Sequence, residues 1–334
     1  MSKVIKWGIM STAKIGQGSL IPAIMDAVDN EVAAISSSSL DKAKEVAAKF
    51  NIPKAYGSYE EMLKDADIDA VYIPLPNHLH AEWVKKAAEA GKHILCEKPA
   101  ALNAAEAEEM IEFCKQKNVV FMEAFMYQFH PQHQRVKDII ASGEIGEVKV
   151  MRSAFAFYMD PSQWGTNIRT KQEMGGGSVY DVGSYCVHAI RDILDSEPAK
   201  IFAQATMHPT HQIDMLTTGM MEMKNGTRAI FDSSFEANFN AQYEIVGTKG
   251  IIEAPRAFRA DIHNGEAILI IKDANGVIRE EKLQGHQYTL EVEHIAECIR
   301  EGKEPIYSGS KTISNMKAID AVYESIKKGT VVEL

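Results

Sequence analysis

From Lys3 onward the chain alternates short apolar runs with amphipathic stretches. Lys3 to Met10 reads as a strand, and a helix-like segment runs from about Ala13 to Val28. Glu31 to Ser36 is a second strand, and Asp41 to Phe50 an alanine- and lysine-rich helix. Asp69 to Pro74 is a buried strand followed by the helix-like AEWVKKAAEAG. His93 to Cys96 is the next strand, Ala104 to Lys117 the next helix, and Val119 to Ala124 a further strand. Alternation of this kind with short connections implies right-handed crossovers and a parallel, doubly wound sheet.

The pattern changes after Pro131. One helix, roughly Pro131 to Ser142, leads into longer alternating segments: VKVMRSAFAFY, IFAQATM, TTGMMEM, TRAIFDSSFEA, AQYEIVG and AILIIKD. Turns such as NGT at 225–227 and TKG at 248–250 separate them. This predicts an α+β domain built on a large, mostly antiparallel open sheet. Two helices close the chain, Tyr288 to Gly302 and Ser314 to Lys328. The expected division is a dinucleotide-binding α/β domain at 1–124 and a substrate-binding and oligomerisation domain at 125–334.

A length of 334 residues accommodates both. The net charge of −10, with acids and bases interleaved, excludes a nucleic-acid surface, which would show a basic stripe. No apolar run is long enough to span a bilayer, and the N-terminus MSKVIKWGIM runs straight into a strand pattern rather than a leader. Cys96, Cys114, Cys186 and Cys298 fit no zinc spacing and read as free buried thiols of a reducing cytoplasm. The pairs His130/His133 and His208/His211 lack an evident third ligand, so no metal is expected.

Chemistry concentrates at a few places. In WGIMSTAKIG, Gly8 is expected to end the strand, with Ser11, Thr12, Ala13, Lys14 and Ile15 forming the turn into the helix that Ala13 and Gly16 open. Small residues there let backbone approach a pyrophosphate at the helix N-terminus. After the second strand, an NAD enzyme commonly carries an acid for the ribose 2′-hydroxyl. This chain instead has four serines, Ser36 to Ser39. Ser37 or Ser38, with Lys42, suits a 2′-phosphate, so NADP is preferred over NAD; the serines also suit a helix cap near Asp41.

Pro74 ends one strand and Asn77 and His80 follow it, while Glu97, Lys98 and Pro99 follow another. Both groups sit at carboxyl ends of parallel strands, where open α/β sheets place ligands. Farther on, GGGSVYDVGSYCVHAIRDIL puts Asp181, Tyr185 and His188 at spacings of four and three, on one helical face.

Together the GIMSTAKIG turn, PNHLH, CEKP, MEAFMYQFHPQ, GGG-x-x-x-D-x-x-x-Y and YTLEVEHIAECIREG make the chain resemble the Gfo/Idh/MocA oxidoreductases over nearly its whole length. It is most similar to the branch containing dimeric dihydrodiol dehydrogenase, NADP-dependent xylose dehydrogenase and glucose–fructose oxidoreductase. The resemblance implies an N-terminal Rossmann domain holding a nicotinamide cofactor. It also implies a C-terminal sheet whose outer face forms a homodimer or homotetramer. Lys98 is then expected beside the nicotinamide and the substrate oxygen, with Asp181 and Tyr185 completing the catalytic set. Ser37 and Lys42 match the branch's grip on the NADP phosphate. Ser38 stands where an arginine is common, and Gln128 replaces another arginine, which loosens substrate inference from relatives.

The chemistry supports those roles. A tyrosine of ordinary pKa near ~10 needs a cation beside it to exchange a proton near neutrality. Lys98 supplies such a charge and a hydrogen bond to the substrate oxygen; Glu97 orients or partly neutralises the site, and a cis Lys98–Pro99 bond is expected to fix the turn. Glu123, Phe125, Trp164 and Arg169 are the further candidates for substrate contact. The expected activity is hydride transfer between the cofactor and a secondary alcohol or carbonyl of a sugar, polyol or cyclic diol. A cofactor-retaining sugar–sugar oxidoreductase and a catalytically silent nucleotide or sugar sensor are the alternatives.

Overall fold

The computed structural model describes residues 3–334. The chain forms two compact units, one built from the chain up to Met126 plus Tyr288–Ile313, the other from Tyr127–Gln287 plus Ser314–Leu334.

In the first unit, β1 (Ile5–Met10), α1 (Ile21–Asp26), β2 (Asn30–Ser36), α2 (Leu40–Phe50), β3 (Lys54–Tyr56), α3 (Tyr59–Leu63), β4 (Ala70–Ile73), α4 (His80–Glu89), β5 (His93–Cys96), α5 (Ala104–Gln116) and β6 (Phe121–Glu123) follow one another. The six strands are parallel, in the order β3-β2-β1-β4-β5-β6. The order reverses between β1 and β4, and such a switch point opens a crevice at the carboxyl ends of the strands. Every residue of β4 is buried, as in a parallel sheet covered on both faces. Val71, Ile73, Ile94 and Cys96 pack there with Trp83, Val84 and Ala87 of α4 and Met110, Ile111 and Cys114 of α5.

β3 was not anticipated; its three residues are all only half-buried, which leaves no apolar run to see. The expected boundary at 124/125 also needs correcting, because α8 (Gln287–Glu301) brings the chain back to the first unit. Glu293 accepts from the Val28 backbone amide, Arg300 donates to the carbonyls of Lys3 and Asp29, and Tyr307 packs edge-on to Phe125. These partners are more than 180 residues away in sequence, beyond the reach of any local pattern.

The second unit carries α6 (Pro131–Ala141), α7 (Ser184–Leu194) and, from β7 (Val148–Ala156) onward, a nine-stranded sheet. Its further strands are β8 (Pro198–Met207), β9 (Asp214–Met223), β10 (Arg228–Ser234), β11 (Asn240–Gly247), β12 (Ile251–Ala254), β13 (Glu266–Asp273), β14 (Gly276–Gln284) and β15 (Val332–Glu333). All pairings are antiparallel except β7 with β10. β13 alternates buried and half-buried residues, as expected for a sheet with one packed face. β14 was missed because GVIREEKLQ is largely charged and exposed. The last long helix, α9 (Gly309–Lys328), starts five residues earlier than the expected Ser314.

Candidate active site

β1 ends at Met10, so Gly8 lies inside the sheet, paired with Ala34 and Val71, rather than at the turn. A Cβ there would come within 3.1 Å of the Met62 side chain, and packing is the reason for this glycine. The turn itself is Ser11-Thr12-Ala13, with Ser11 in the left-handed region at φ 116°. The Ser11 amide donates to the Ser36 carbonyl at 2.9 Å, its hydroxyl accepts from the Ala13 amide, and Gln17 donates to the Thr12 carbonyl. Lys14 and Ile15 open the helix, both exposed, and a π turn at Gly16–Leu20 carries it into α1. First-turn amides of a helix have no intrahelical acceptor and face whatever lies at its start.

After β2 the serines divide their work. Ser39 is the N-cap of α2, accepting from the Lys42 amide, and the buried Ser37 hydroxyl accepts from the Ser39 amide. Ser38 and the side chain of Lys42 remain exposed at the strand's end. Capping therefore uses a serine that the phosphate reading does not need.

At the ends of β4 and β5 the side chains interlock. The wholly buried Tyr72 hydroxyl donates to Glu97 Oε1 at 2.6 Å, and the other Glu97 oxygen accepts from the Lys98 amide at 3.3 Å. The Lys98–Pro99 bond is cis. Glu123, 0% exposed, accepts from the Ala100 amide at 2.8 Å and so holds the far side of this turn. Phe125 is equally buried, against Tyr307. Both were expected to touch substrate; both are buried, Glu123 bonded to the turn and Phe125 packed on Tyr307.

His80 is likewise not exposed to a ligand. It is fully buried, with Nδ1 2.8 Å from the Pro99 carbonyl and Nε2 2.7 Å from the Leu75 carbonyl, and it ties together the segments that follow β4 and β5. A neutral imidazole has only one N–H to offer those two carbonyls. Burial nonetheless lowers its pKa to about 4, against the pull of the carbonyls. Pro74 is buried and Asn77 half-buried on the turn between them.

A residue the sequence did not disclose lies in the same cluster. Glu291 of α8 is 0% exposed, and neither carboxyl oxygen has a hydrogen-bond partner among the described residues. Burial first, then the Glu97 carboxylate, pushes its pKa well above the ordinary carboxylate value.

In the second unit, Arg169 Nε donates to Asp181 Oδ2 at 2.7 Å. The expected substrate contact of Arg169 is thus an ion pair with a member of the proposed catalytic set. Asp181 sits in a π turn, Val179–Gly183, that runs into α7, where Tyr185 and His188 follow. The shared helical face expected from 3.6-residue spacing is altered by that turn, and π turns recur at functional sites. The Tyr185 ring lies among Tyr127, Phe155 and Phe258, with centroids 5.2–5.7 Å away. His188 is 1% exposed and its Nδ1 is bonded to the Tyr127 hydroxyl, the place of a support rather than of a group facing solvent. Trp164 stacks on His208 at 4.5 Å, so one face of its indole is covered. His130 and His133 are buried, the first bonded to the Gly265 carbonyl, the second to the Tyr243 hydroxyl and the Ala257 carbonyl.

Comparison with known proteins decides the family. The model of the oxidoreductase family with an NAD-binding Rossmann fold, Gfo/Idh/MocA, matches residues 5–125, and that of the Gfo/Idh/MocA C-terminal domain matches residues 133–253. The chain belongs to the Gfo/Idh/MocA family. It is 39% identical to a D-xylose 1-dehydrogenase (NADP(+)) of Haloferax volcanii, covering 98% of this chain and 99% of the relative. It is 34% identical to a trans-1,2-dihydrobenzene-1,2-diol dehydrogenase of Xenopus tropicalis, over 91% of this chain and 92% of that one. Among solved structures, a 3-ketoreductase from Actinomadura kijaniata in complex with NADP and TDP-benzene superposes with a TM-score of 0.89 at 27% identity, covering 96% of this chain and 97% of that one.

As a Gfo/Idh/MocA member the protein is an oxidoreductase whose first unit binds a nicotinamide dinucleotide. The residues present fit that group. The turn after β1 is built of small side chains, Ser11 adopts the backbone usually left to glycine, and the helix start points to the β1/β4 switch point.

Proposed function

We propose that the protein is an NADP-preferring dehydrogenase or reductase acting on a secondary alcohol or carbonyl of a sugar, polyol or cyclic diol. The observation that carries this reading is the bracing of Lys98. Glu97, itself held by Tyr72, accepts from its backbone on one side, while Glu123 fixes Ala100 on the other. Such support fixes the backbone from which the Lys98 side chain extends, at the end of a parallel strand, and this supports the reading.

In this reading Lys98 donates a hydrogen bond to the substrate oxygen and stabilises the charge that develops on it. Tyr185 takes up or gives back that oxygen's proton. Asp181, with Arg169 as its counter-ion, orients the group that carries the proton. The bound nicotinamide supplies or accepts the hydride. Ser37, Ser38 and Lys42 hold the 2′-phosphate, and the absence of an acid between the end of β2 and Asp41 favours NADP over NAD.

Relatives named for NADP-linked xylose oxidation and for diol oxidation make pentoses and cyclic diols the first substrates to test. For assembly, a homodimer or homotetramer through the outer face of the second unit's sheet fits the exposed apolar row there. Ile230 pairs with Met220 and Met220 with Phe202 across adjacent strands, with Met220 54% exposed. A cytoplasmic setting fits four cysteines that are all free thiols.

The test is a fluorescence titration with NADPH and NADH, followed by an absorbance screen of pentoses, hexoses, inositols and cyclic diols. Tight NADPH binding with turnover of one class is the expected result. Tight binding with no turnover of any of them would favour the silent sensor instead.

A further inference from the structure

We propose that Asp214 is a positioning residue, whose buried carboxylate fixes the start of the segment carrying Asp181 and Tyr185 and so sets where those two side chains stand. Asp214 begins β9 and is 1% exposed. Its Oδ2 accepts from the Ser178 hydroxyl at 2.7 Å, the Val179 amide at 2.7 Å and the Thr217 hydroxyl at 3.3 Å. Its Oδ1 accepts from the Tyr323 hydroxyl of α9 at 3.0 Å. Burial raises the carboxyl's pKa, and Ser178, then Val179 and Tyr323, offset part of that rise.

The last glycine of the run is explained by the same carboxylate, and the one before it by the carbonyls opposite. Gly177 has φ 119°, and a Cβ placed on it would lie 2.1 Å from Asp214 Oδ1. At Gly176 a Cβ would lie 2.6 Å from the Arg169 carbonyl oxygen and 2.8 Å from that of Lys171. The backbone here is pinched between the Arg169 segment on one side and Asp214 on the other. The π turn starts at Val179, whose amide Asp214 grips directly, and the Asp181 amide donates back to the Gly177 carbonyl. Any shift of this start rotates Asp181 and Tyr185 together, because both ride on the continuous turn and helix that follow.

Asparagine at this position offers one acceptor oxygen where the carboxylate offers two, and its amide group would face hydroxyl or amide donors. The substitution keeps the shape and weakens the grip, leaving one neutral oxygen for Ser178, Val179 and Thr217 and an amide nitrogen toward Tyr323. A misplacement of about 1 Å at reacting groups costs on the order of a hundredfold in rate.

This inference rests on the roles given above to Asp181 and Tyr185, and the experiment separates the two. In the full-length protein, Asp214→Asn, Tyr185→Phe and their combination are compared for NADPH affinity by fluorescence and for kcat on a substrate found by the screen. Asp214→Asn is expected to lower kcat about ten- to a hundredfold with NADPH affinity unchanged, and to cost much less in the Tyr185→Phe background. Amide exchange at Val179 to Asp181 should rise in the same variant. If Tyr185→Phe keeps its turnover, the catalytic reading is what fails. If Tyr185→Phe is impaired while Asp214→Asn stays within about twofold of wild type, or if the two losses multiply in full, the positioning role is overturned. Should Asp214→Asn not fold, Ser178→Ala and Tyr323→Phe each remove one donor and keep the carboxylate. Both should lower kcat several-fold without changing NADPH affinity, and unchanged kcat in both would overturn the proposal.

Discussion

Arg169 reaches twelve residues along the chain to Asp181, and its guanidinium Nε lies 2.7 Å from the carboxylate. The arginine side chain is 42% exposed and the aspartate 13%, so the pair straddles solvent and interior. The Arg169 carbonyl also accepts from the Gly177 amide at 3.0 Å, so one residue braces the glycine run by its backbone and Asp181 by its side chain. Arg169→Ala should reduce kcat/KM about tenfold, with Arg169→Lys recovering only part because a point charge lacks the guanidinium's planar geometry. Steady-state kinetics alongside NADPH titration checks this; a loss confined to NADPH affinity would refute it.

Lys98→Ala and Tyr185→Phe should each lower turnover by about a hundredfold or more, since each removes a group acting on the substrate oxygen. NADPH binding, measured by fluorescence, should survive both. The Lys98 backbone is held by Glu97, so the alanine variant keeps the turn intact and isolates the loss of the ammonium.

The division between what the sequence disclosed and what it hid follows physical lines. The parallel strands were legible because β4 and β5 are short, nearly continuous apolar runs. β14 and β3 were not, one being charged and exposed, the other only half-buried. Lys98, Asp181 and Tyr185 stood out by spacing and position, as did the Ser37–Lys42 segment. The supporting role of their neighbours did not. His80 and Glu123 read as ligand contacts and Asp214 as a solvated polar residue, yet each is at most 1% exposed and bonded to backbone. Glu291 is hidden for a further reason, since its place depends on α8 returning to the first unit. The π turns at Gly16–Leu20 and Val179–Gly183 have no periodicity that a 3.6-residue reading would register.

Cofactor preference should answer to the β2 end. Lys42→Ala is expected to weaken NADPH about tenfold, the effect of one charge-assisted contact (~1.4 kcal/mol), and to leave NADH nearly unchanged. Ser38→Asp should move preference toward NADH by adding a carboxylate that accepts from a ribose hydroxyl and repels a 2′-phosphate. Neither side chain caps α2, a task Ser39 performs, so stability should hold in both variants. Equal losses for the two cofactors would mean that this segment does not read the phosphate.

Glu291 yields a prediction about stability. Its carboxyl is wholly buried beside Tyr72 of β4 and Glu97 after β5, and burial with the Glu97 charge raises its pKa in the folded protein. An acid whose folded pKa lies above its unfolded value of about 4.3 contributes most below that value and progressively less as pH rises toward the folded one. The folded state there retains a proton that the unfolded chain releases, so stability falls with pH by up to ~1.4 kcal/mol per unit. Glu291→Gln keeps the neutral shape and has no proton to lose. Its stability relative to wild type should therefore climb in chemical denaturation as pH rises above the unfolded pKa of about 4.3, through pH 5 and upward. A constant difference across that range would mean that Glu291 is ionised in the folded protein, which would place two negative charges, not one, below the Lys98 turn.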